Sequence, residues 1–172
     1  MAIVKHIKSR NANYSDALNY LIFQHDESTG KMILDEFNRP LRRDELYVDG
    51  LNCNPDTFDV ECYECNEHFK KNRSKSEIKS HHYIISYDPA DAIECDLTGE
   101  KAQALSLELA KKIFPGYQAL IVTHTDGHNG SGNIHTHIVI NSVRKEAVRR
   151  QSYMDKPHEE IAGYKHRSTN KF

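Results

Sequence analysis

Two apolar segments joined by a glycine-rich loop constrain the fold of this 172-residue chain more than any other feature. The segments are "YQALIVTHT" (117–125) and "IHTHIVINSV" (134–143), and "DGHNGSGN" lies between them. Runs of β-branched and apolar residues on either side of a short glycine-containing loop are typical of a β-hairpin. We therefore predict that these two segments are adjacent antiparallel strands.

The rest of the chain predicts further strands and helices around this hairpin. Strands are expected at 2–7 and 81–89, whereas residues 25–52 are polar and form a long excursion with one hairpin, at "TGKMILDEFNRPL". The helices would begin after side chains that can cap them: Ser15, Asn54 or Asp56, and Thr98. This order predicts an α+β domain, with a central antiparallel sheet and helices packed on one face.

The hairpin also carries a candidate metal site. Residues two apart in a strand point to the same face, so His135 and His137 project side by side. The preceding strand brings His124 within reach as a third ligand, and Asp126 could accept a hydrogen bond from an imidazole. His128, in the loop, would face solvent or DNA. Three neutral nitrogen ligands leave positions open on a divalent ion, which suits Lewis-acid chemistry at a phosphoryl or carbonyl oxygen. The alternative to a metal site is that these are ordinary surface histidines.

Charge is distributed unevenly along the chain. The formal net charge is -2, but residues 144–172 contain eight Lys or Arg and four acids, so this segment is +4 and the rest is -6. Such asymmetry suggests an anionic partner near the C-terminal segment, although a solvated linker has the same composition. No run of apolar residues reaches the length of a membrane span, and the first residues lack a signal peptide's apolar stretch. We therefore expect a cytoplasmic protein without a membrane segment.

The four cysteines are expected to be free thiols in that compartment. Cys62, Cys65 and His68 have helical spacing and could hold zinc. A structural zinc site needs four ligands as a rule, and no second cysteine pair follows. A half-buried helix face is the interpretation we favour.

Three stretches together resemble the motifs of conjugative relaxases, the mobilisation nucleases related to MobA, VirD2 and the TraI proteins of P-type plasmids. They are "SDALNYL", "HHYIISYDPAD" and "HTD…NIHTHIVINSV", and they occur in the family's order within residues 1–145. The resemblance implies a five-stranded antiparallel sheet with a three-histidine metal site. It also implies an enzyme that nicks one strand of a transfer origin by tyrosine attack and stays joined to the 5′ phosphate.

Carried onto this sequence, the family's tyrosine falls on Tyr20. The metal ligands fall on His124, His135 and His137, with Asp126 as the acid beside them, and the strand motif places Ser86 near the DNA. The loop between the two histidine motifs is longer than is common in the family, which makes His128 an alternative ligand. His124 is favoured because it stands on the strand next to Asp126.

Two alternatives to Tyr20 remain open. Tyr20 could instead be a core aromatic residue, with Tyr14 as the rival nucleophile, although Tyr14 is expected to touch DNA or to pack. Rolling-circle initiators and single-strand transposases use the same histidine strand with a tyrosine after it, and Tyr153 and Tyr164 occupy that position. A third possibility is a non-catalytic DNA-binding module.

The resemblance also implies cofactors, partners and a domain division. The metal would be manganese or magnesium. The DNA partner would be a single-stranded or locally melted transfer origin. The protein partners would be an auxiliary DNA-binding protein and a coupling protein, and the process would be conjugative, horizontal gene transfer. Residues 1–145 would form the catalytic domain. Residues 146–172 would form a basic segment that leads into further domains. Because this segment has little apolar periodicity, we expect it to be loosely ordered without DNA. The side chains predicted to contact phosphates are Arg144, Lys145, Arg149 and Arg150.

Overall fold

The described part of the chain contains five strands and four helices. The structure, a computed structural model, describes residues 2–26, 28–126 and 133–167. The elements are β1 (Ile3–Ser9), α1 (Tyr14–Ile22), β2 (Leu46–Leu51), α2 (Phe58–His68), β3 (Ser80–Ser86), α3 (Pro89–Glu94), α4 (Gly99–Ile113), β4 (Tyr117–His124) and β5 (His135–Arg144). A short 3₁₀ turn, Pro55–Thr57, precedes α2.

All five strands form one antiparallel sheet in the order β1-β3-β5-β4-β2. The hairpin strands β4 and β5 are neighbours, as predicted, and they occupy the interior of the sheet. The α+β class and the five-stranded sheet are confirmed. The strand order places the candidate metal ligands on β4 and β5, two of the three strands that are paired on both sides.

Helices cover both faces of the sheet, so the prediction of helices on one face was wrong. One face packs against α1 and α2, and its core contains Tyr14, Leu21, Phe58, Leu120 and Val139. The other face packs against α4, where Phe114 meets a second set of strand residues: Tyr83, Ile121, Ile138 and Ile140. The continuous apolar character of 119–122 explains this arrangement, because every residue of β4 is buried and only a strand covered on both faces needs that pattern.

Sequence patterns predicted three of the four helices, and the differences at their ends have local causes. Asn54 caps the 3₁₀ turn, whereas α2 itself begins after Thr57. Thr98 caps α4 as predicted, its hydroxyl accepting from Lys101 N–H. The cap of α1 is Asn13 rather than Ser15, because the Asn13 side chain accepts the Ser15 N–H. The short helix α3 was missed, since Asp88-Pro89 looked like the end of a strand. Asp88 in fact caps α3 and Pro89 is its first residue.

The basic segment after β5 packs on the sheet, so the expectation of loose order is wrong for residues 146–167. Arg144 N–H donates to the Tyr164 carbonyl, and His166 N–H donates to the Ser142 carbonyl. Met154 is buried. The His166 ring packs edge-on against Tyr117 and Phe114. These contacts tie the segment to the sheet although Tyr153 and Ile161 remain about half exposed.

Two smaller expectations concern the membrane and the cysteines. None of the helices in the described part of the chain combines the length and apolar character needed to cross a membrane. All four cysteines are free thiols, as expected. Cys62 is fully buried between α2 and the sheet, as part of the core that contains Phe58. Its packing matches the helix-face interpretation rather than a zinc site.

Candidate metal centre

Three histidines converge at one end of the sheet. His124, the last residue of β4, lies directly opposite His135, the first residue of β5, and His137 follows two residues later on the same face. One ring nitrogen from each histidine lies within 4.8 Å of the others. Among the described residues this is the one group of three or more potential ligands with such spacing. The strand periodicity and the hairpin therefore bring together the predicted residues; His128 lies outside the described residues.

Hydrogen bonds hold the outer nitrogens of two of these rings. His124 Nε2 lies 2.7 Å from the Leu21 carbonyl oxygen, and His135 Nδ1 lies 3.1 Å from that of Asn133. A carbonyl oxygen can only accept, so each outer nitrogen carries the proton. The inner nitrogens, His124 Nδ1 and His135 Nε2, are left with free lone pairs and lie 3.3 Å apart. That is the tautomer a metal ligand needs.

The third ring has a different kind of partner. His137 Nδ1 lies 2.8 Å from Nε2 of His82, which stands on β3. His137 is buried, and burial lowers its pKa far below the usual range for histidine. Burial likewise lowers the pKa of His124 to about 4. Both rings are therefore neutral near pH 7, as ligation of a cation requires.

The donor set fits a divalent cation. Three ring nitrogens that converge at one end of the sheet can bind one ion and leave coordination positions open for oxygen atoms of a substrate. Ser86 lies directly opposite His135 in the strand pairing, on the same face of the sheet. It is exposed. Its predicted place near the DNA stays a prediction.

Tyr20 lies in α1, one residue before the carbonyl that binds His124. Its side chain is 49% exposed, so its hydroxyl is accessible and it is not a core residue. The Tyr20 ring contacts that of His25, with 5.5 Å between ring centroids. A cavity of about 270 Å³ lies between α1 and strands β1 and β3, and both Tyr20 and His82 line it. The structure thus brings Tyr20 to the same side of the sheet as the three histidines.

Tyr14 packs in the core, one of the two outcomes expected for it. Its hydroxyl lies 2.8 Å from the Lys79 carbonyl oxygen, 3.0 Å from the Asn141 amide oxygen and 2.9 Å from Asn66 Nδ2. Burial raises its pKa well above the usual range for tyrosine. A buried, fully bonded phenol of high pKa is poorly suited to nucleophilic attack.

The two tyrosines after β5 lie at the other end of the sheet. The Tyr153 hydroxyl donates to the carbonyl of Lys112, in the last turn of α4. The Tyr164 carbonyl accepts from the N–H of Arg144, the last residue of β5. Arg144 is seven positions along the strand from His137, a distance of about 23 Å at ~3.3 Å per residue. Neither tyrosine is near the histidines in this structure.

Asp126 forms an ion pair with Arg43, at 2.7 Å. We expected it to accept a hydrogen bond from an imidazole, and that expectation was wrong for His124, whose Nε2 bonds to a backbone carbonyl instead. The reason is geometric. Asp126 lies beyond the end of β4, where Arg43 comes from the long excursion before β2. After the larger effect of burial, the Arg43 charge lowers the pKa of His124 and the Asp126 charge raises it.

Three of the four basic residues predicted to contact phosphates have protein partners. Arg144 is 4% exposed, with its guanidinium stacked on Tyr117 and bonded to the Pro115 carbonyl, so it does not face solvent. Lys145 pairs with Glu61 and Arg150 with Glu160. Arg149 is exposed. All four belong to the end of the sheet away from the histidines.

Three residues near the site were not predicted as such. His82 contacts His137, and Arg43 pairs with Asp126. Lys5 is exposed on β1, and its charge contributes to lowering the pKa of His82. The pair His81-His82 in a predicted strand was a usable signal, because alternation sends one of the two rings to each face. Which face meets the metal ligands depends on the register between β3 and β5, which the sequence does not specify.

Comparison with known proteins gives a consistent result. Residues 33–164 match the sequence model of a family described as "Relaxase: MobA/VirD2-like, nuclease domain". The matched region contains all three histidines of the metal centre, and it continues past residue 145 through most of the basic segment. Tyr20 precedes it. No solved structure matches the chain with statistical significance.

Two proteins of Staphylococcus aureus, both named "Protein rlx", are similar over 101 residues. They are 35% and 37% identical to the chain there, and each similarity covers 56% of this chain and 27% of the relative. The chain thus spans about a quarter of the length of the curated relatives it matches.

Proposed function

Because the chain belongs to the MobA/VirD2-like relaxase nuclease family, we propose that it nicks one strand of DNA through attack of Tyr20 on the scissile phosphate. The observation that carries the proposal is the contact between α1 and the metal centre. The Leu21 carbonyl accepts from His124, and Tyr20 is the preceding residue of the same helix. An accessible phenol is thereby tethered to a ligand of the proposed cation.

The reaction conserves the phosphodiester bond. The Tyr20 oxygen attacks phosphorus, the bond to the 3′ oxygen of the neighbouring nucleotide breaks, and that oxygen leaves as a 3′ hydroxyl after taking up a proton. The DNA remains joined to Tyr20 through its 5′ phosphate, and attack by a 3′ hydroxyl reverses the step. A divalent ion bound by the three histidines would offset negative charge on the non-bridging phosphate oxygens.

The phenolic proton needs an acceptor, and we assign it to His25. The His25 ring contacts that of Tyr20, and His25 Nδ1 lies 2.9 Å from the Phe23 carbonyl oxygen. Because that carbonyl can only accept, Nδ1 carries the proton and Nε2 is free to take one. Replacing His25 with Phe should slow adduct formation and leave DNA affinity nearly unchanged.

The metal in this proposal is manganese rather than magnesium. Magnesium prefers oxygen ligands and gives up its water molecules reluctantly. Three imidazole nitrogens suit a softer ion, and manganese is the softer of the two. Direct titration of the protein with each ion decides between them.

The position of the tyrosines supports a relaxase over a rolling-circle initiator or transposase. Those enzymes use a tyrosine that follows the histidine strand, but Tyr153 and Tyr164 bond to residues at the opposite end of the sheet. We further propose that the substrate is single-stranded or locally melted origin DNA in conjugative transfer, with an auxiliary protein and a coupling protein as partners in the cytoplasm. The exposed Lys5, beside His82, offers a phosphate contact near the site, and Arg149 offers one farther away.

The test is covalent capture. The protein is incubated with manganese and a set of labelled single-stranded oligonucleotides that tile the DNA flanking its coding sequence, and denaturing gels report adducts. Peptide mapping of the adduct should identify Tyr20, and Tyr20→Phe should abolish the adduct while origin binding remains. Tyr63→Phe is the matched control, because Tyr63 is an exposed helical tyrosine on α2.

The outcomes separate the three classes of protein. An adduct on Tyr153 or Tyr164 supports the rolling-circle or transposase chemistry. Tight binding to an oligonucleotide without any adduct, in protein that has bound manganese, supports a non-catalytic DNA-binding module. Either result would overturn the proposed function.

A further inference from the structure

We propose that His82 is a positioning residue that fixes the tautomer of the metal ligand His137. In this arrangement His82 Nε2 accepts the proton of His137 Nδ1, and His137 Nε2 keeps its lone pair for the cation. The inference rests on the metal site of the proposed function. It concerns a residue on β3 that contributes no ligand of its own.

The sheet register brings these two rings together. In the pairing of β3 with β5, His82 lies opposite Val139, so His137 is its diagonal neighbour on the same face. The two ring nitrogens are 2.8 Å apart, and the ring centroids are 5.0 Å apart with a tilt of 41°. Both the length of the contact and its partly buried position are those of a formed hydrogen bond.

The other two ligands show what His137 needs. His124 and His135 each donate their outer proton to a backbone carbonyl, which leaves no choice of tautomer. The hydrogen-bond partner of His137 is the imidazole of His82 rather than a backbone carbonyl. An imidazole nitrogen accepts only when it carries no proton, so His82 must be neutral with its own proton on Nδ1. The chemical identity of residue 82 therefore decides which nitrogen of His137 faces the ion.

Loss of the acceptor would have a specific effect. Without it, the Nδ1 proton of His137 is buried with no partner, which favours the other tautomer, with the proton on Nε2 where the cation should bind. Removing a hydrogen-bond partner of a metal-ligating histidine weakens metal binding by about 10–100-fold. An aliphatic residue at 82 should have this effect, and a residue that offers an acceptor should reverse most of it.

The experiment measures manganese affinity by titration of the purified protein, without DNA. His82→Leu should raise the dissociation constant about 10–100-fold, and His82→Gln, whose amide oxygen can accept, should recover most of the affinity. His68→Leu is the matched control, because it removes an exposed histidine on α2. Equal affinity in wild type and His82→Leu would refute the proposal, as would equal weakening by Leu and Gln in folded proteins.

A measurement on the unsubstituted protein keeps the test valid if a variant does not fold. Long-range ¹H–¹⁵N spectra of histidine-labelled, metal-free protein report the tautomer of each ring. His137 should carry its proton on Nδ1, and a proton on Nε2 would overturn the proposal. If the wild-type protein binds no manganese at all, the metal site of the proposed function fails instead, whatever the tautomer of His137.

Discussion

Tyr14 and Tyr20 lie in the same short helix, and replacing each with phenylalanine should have opposite consequences. Tyr14→Phe should destabilise the protein and leave covalent adduct formation intact in the folded fraction. Tyr20→Phe should abolish the adduct and leave stability unchanged. The contrast follows from burial: the Tyr14 side chain is 5% exposed and that of Tyr20 is 49% exposed.

The magnitude for Tyr14 follows from its partners. The hydroxyl bonds to the Lys79 carbonyl, the Asn141 amide oxygen and Asn66 Nδ2, and all three are buried contacts. Each buried group left without a partner costs about 1–3 kcal/mol. Neighbours retain some alternatives, so we expect a loss of about 2 kcal/mol in the free energy of unfolding. For a chain of this length that corresponds to a melting temperature about 4–8 °C lower.

The two variants should be measured side by side. Thermal unfolding gives the stability change, and the denaturing-gel assay with manganese gives the adduct. Tyr20→Phe should shift the free energy of unfolding by less than about 0.5 kcal/mol, because an exposed hydroxyl keeps its bonds to water. An adduct that survives in Tyr20→Phe but disappears in folded Tyr14→Phe would refute the assignment of the nucleophile.

Three further predictions concern charge and the segment after β5. Burial lowers the pKa of His81 to about 4 and that of His166 to about 3, so the unfolded chain binds more protons than the folded protein below pH 6.5. Acidification from pH 7 to pH 5 should therefore lower the free energy of unfolding by about 2 kcal/mol for each ring. Denaturant titration of the metal-free protein measures this loss. Asp126→Asn should weaken manganese binding about fivefold by leaving the Arg43 charge uncompensated, whereas Arg43→Gln should strengthen it, and both effects should shrink at high salt. Truncation after Lys145 uncovers Tyr117 and should lower the melting temperature by several degrees; an unchanged melting temperature would contradict the packing of residues 146–167 on the sheet.

The hairpin and the convergence of its three histidines could be predicted from the sequence because their geometry is local. Period-two alternation sets the faces of β5, and a short loop forces β4 alongside. The strand β2 was missed because "LYVDGL" contains two residues that strands disfavour. Each is explained by distant contacts: Asp49 accepts from Gln103 of α4, and a Cβ at Gly50 would collide with the Cys53 carbonyl.

Contacts between segments far apart in the chain could not be predicted. Leu21 meets His124 and His82 meets His137 because of how α1 docks and how β3 and β5 are aligned. No local pattern encodes an alignment across 55 residues. Composition was a poor guide to the basic segment for the same reason. At its start, Arg144 and Lys145 meet partners that lie much earlier in the chain, Tyr117 and Glu61.

The position of β5 in the sheet has a consequence for the order of folding. The strands made before it can form two separate pairs, β1 with β3 and β2 with β4. Only β5 joins them, since it lies between β3 and β4. A nascent chain that ends before residue 135 therefore has neither a continuous sheet nor two of the three histidines of the candidate metal centre. Because non-local strand pairing is slow, we expect nuclease competence to appear abruptly, when the last strand inserts, rather than gradually during synthesis.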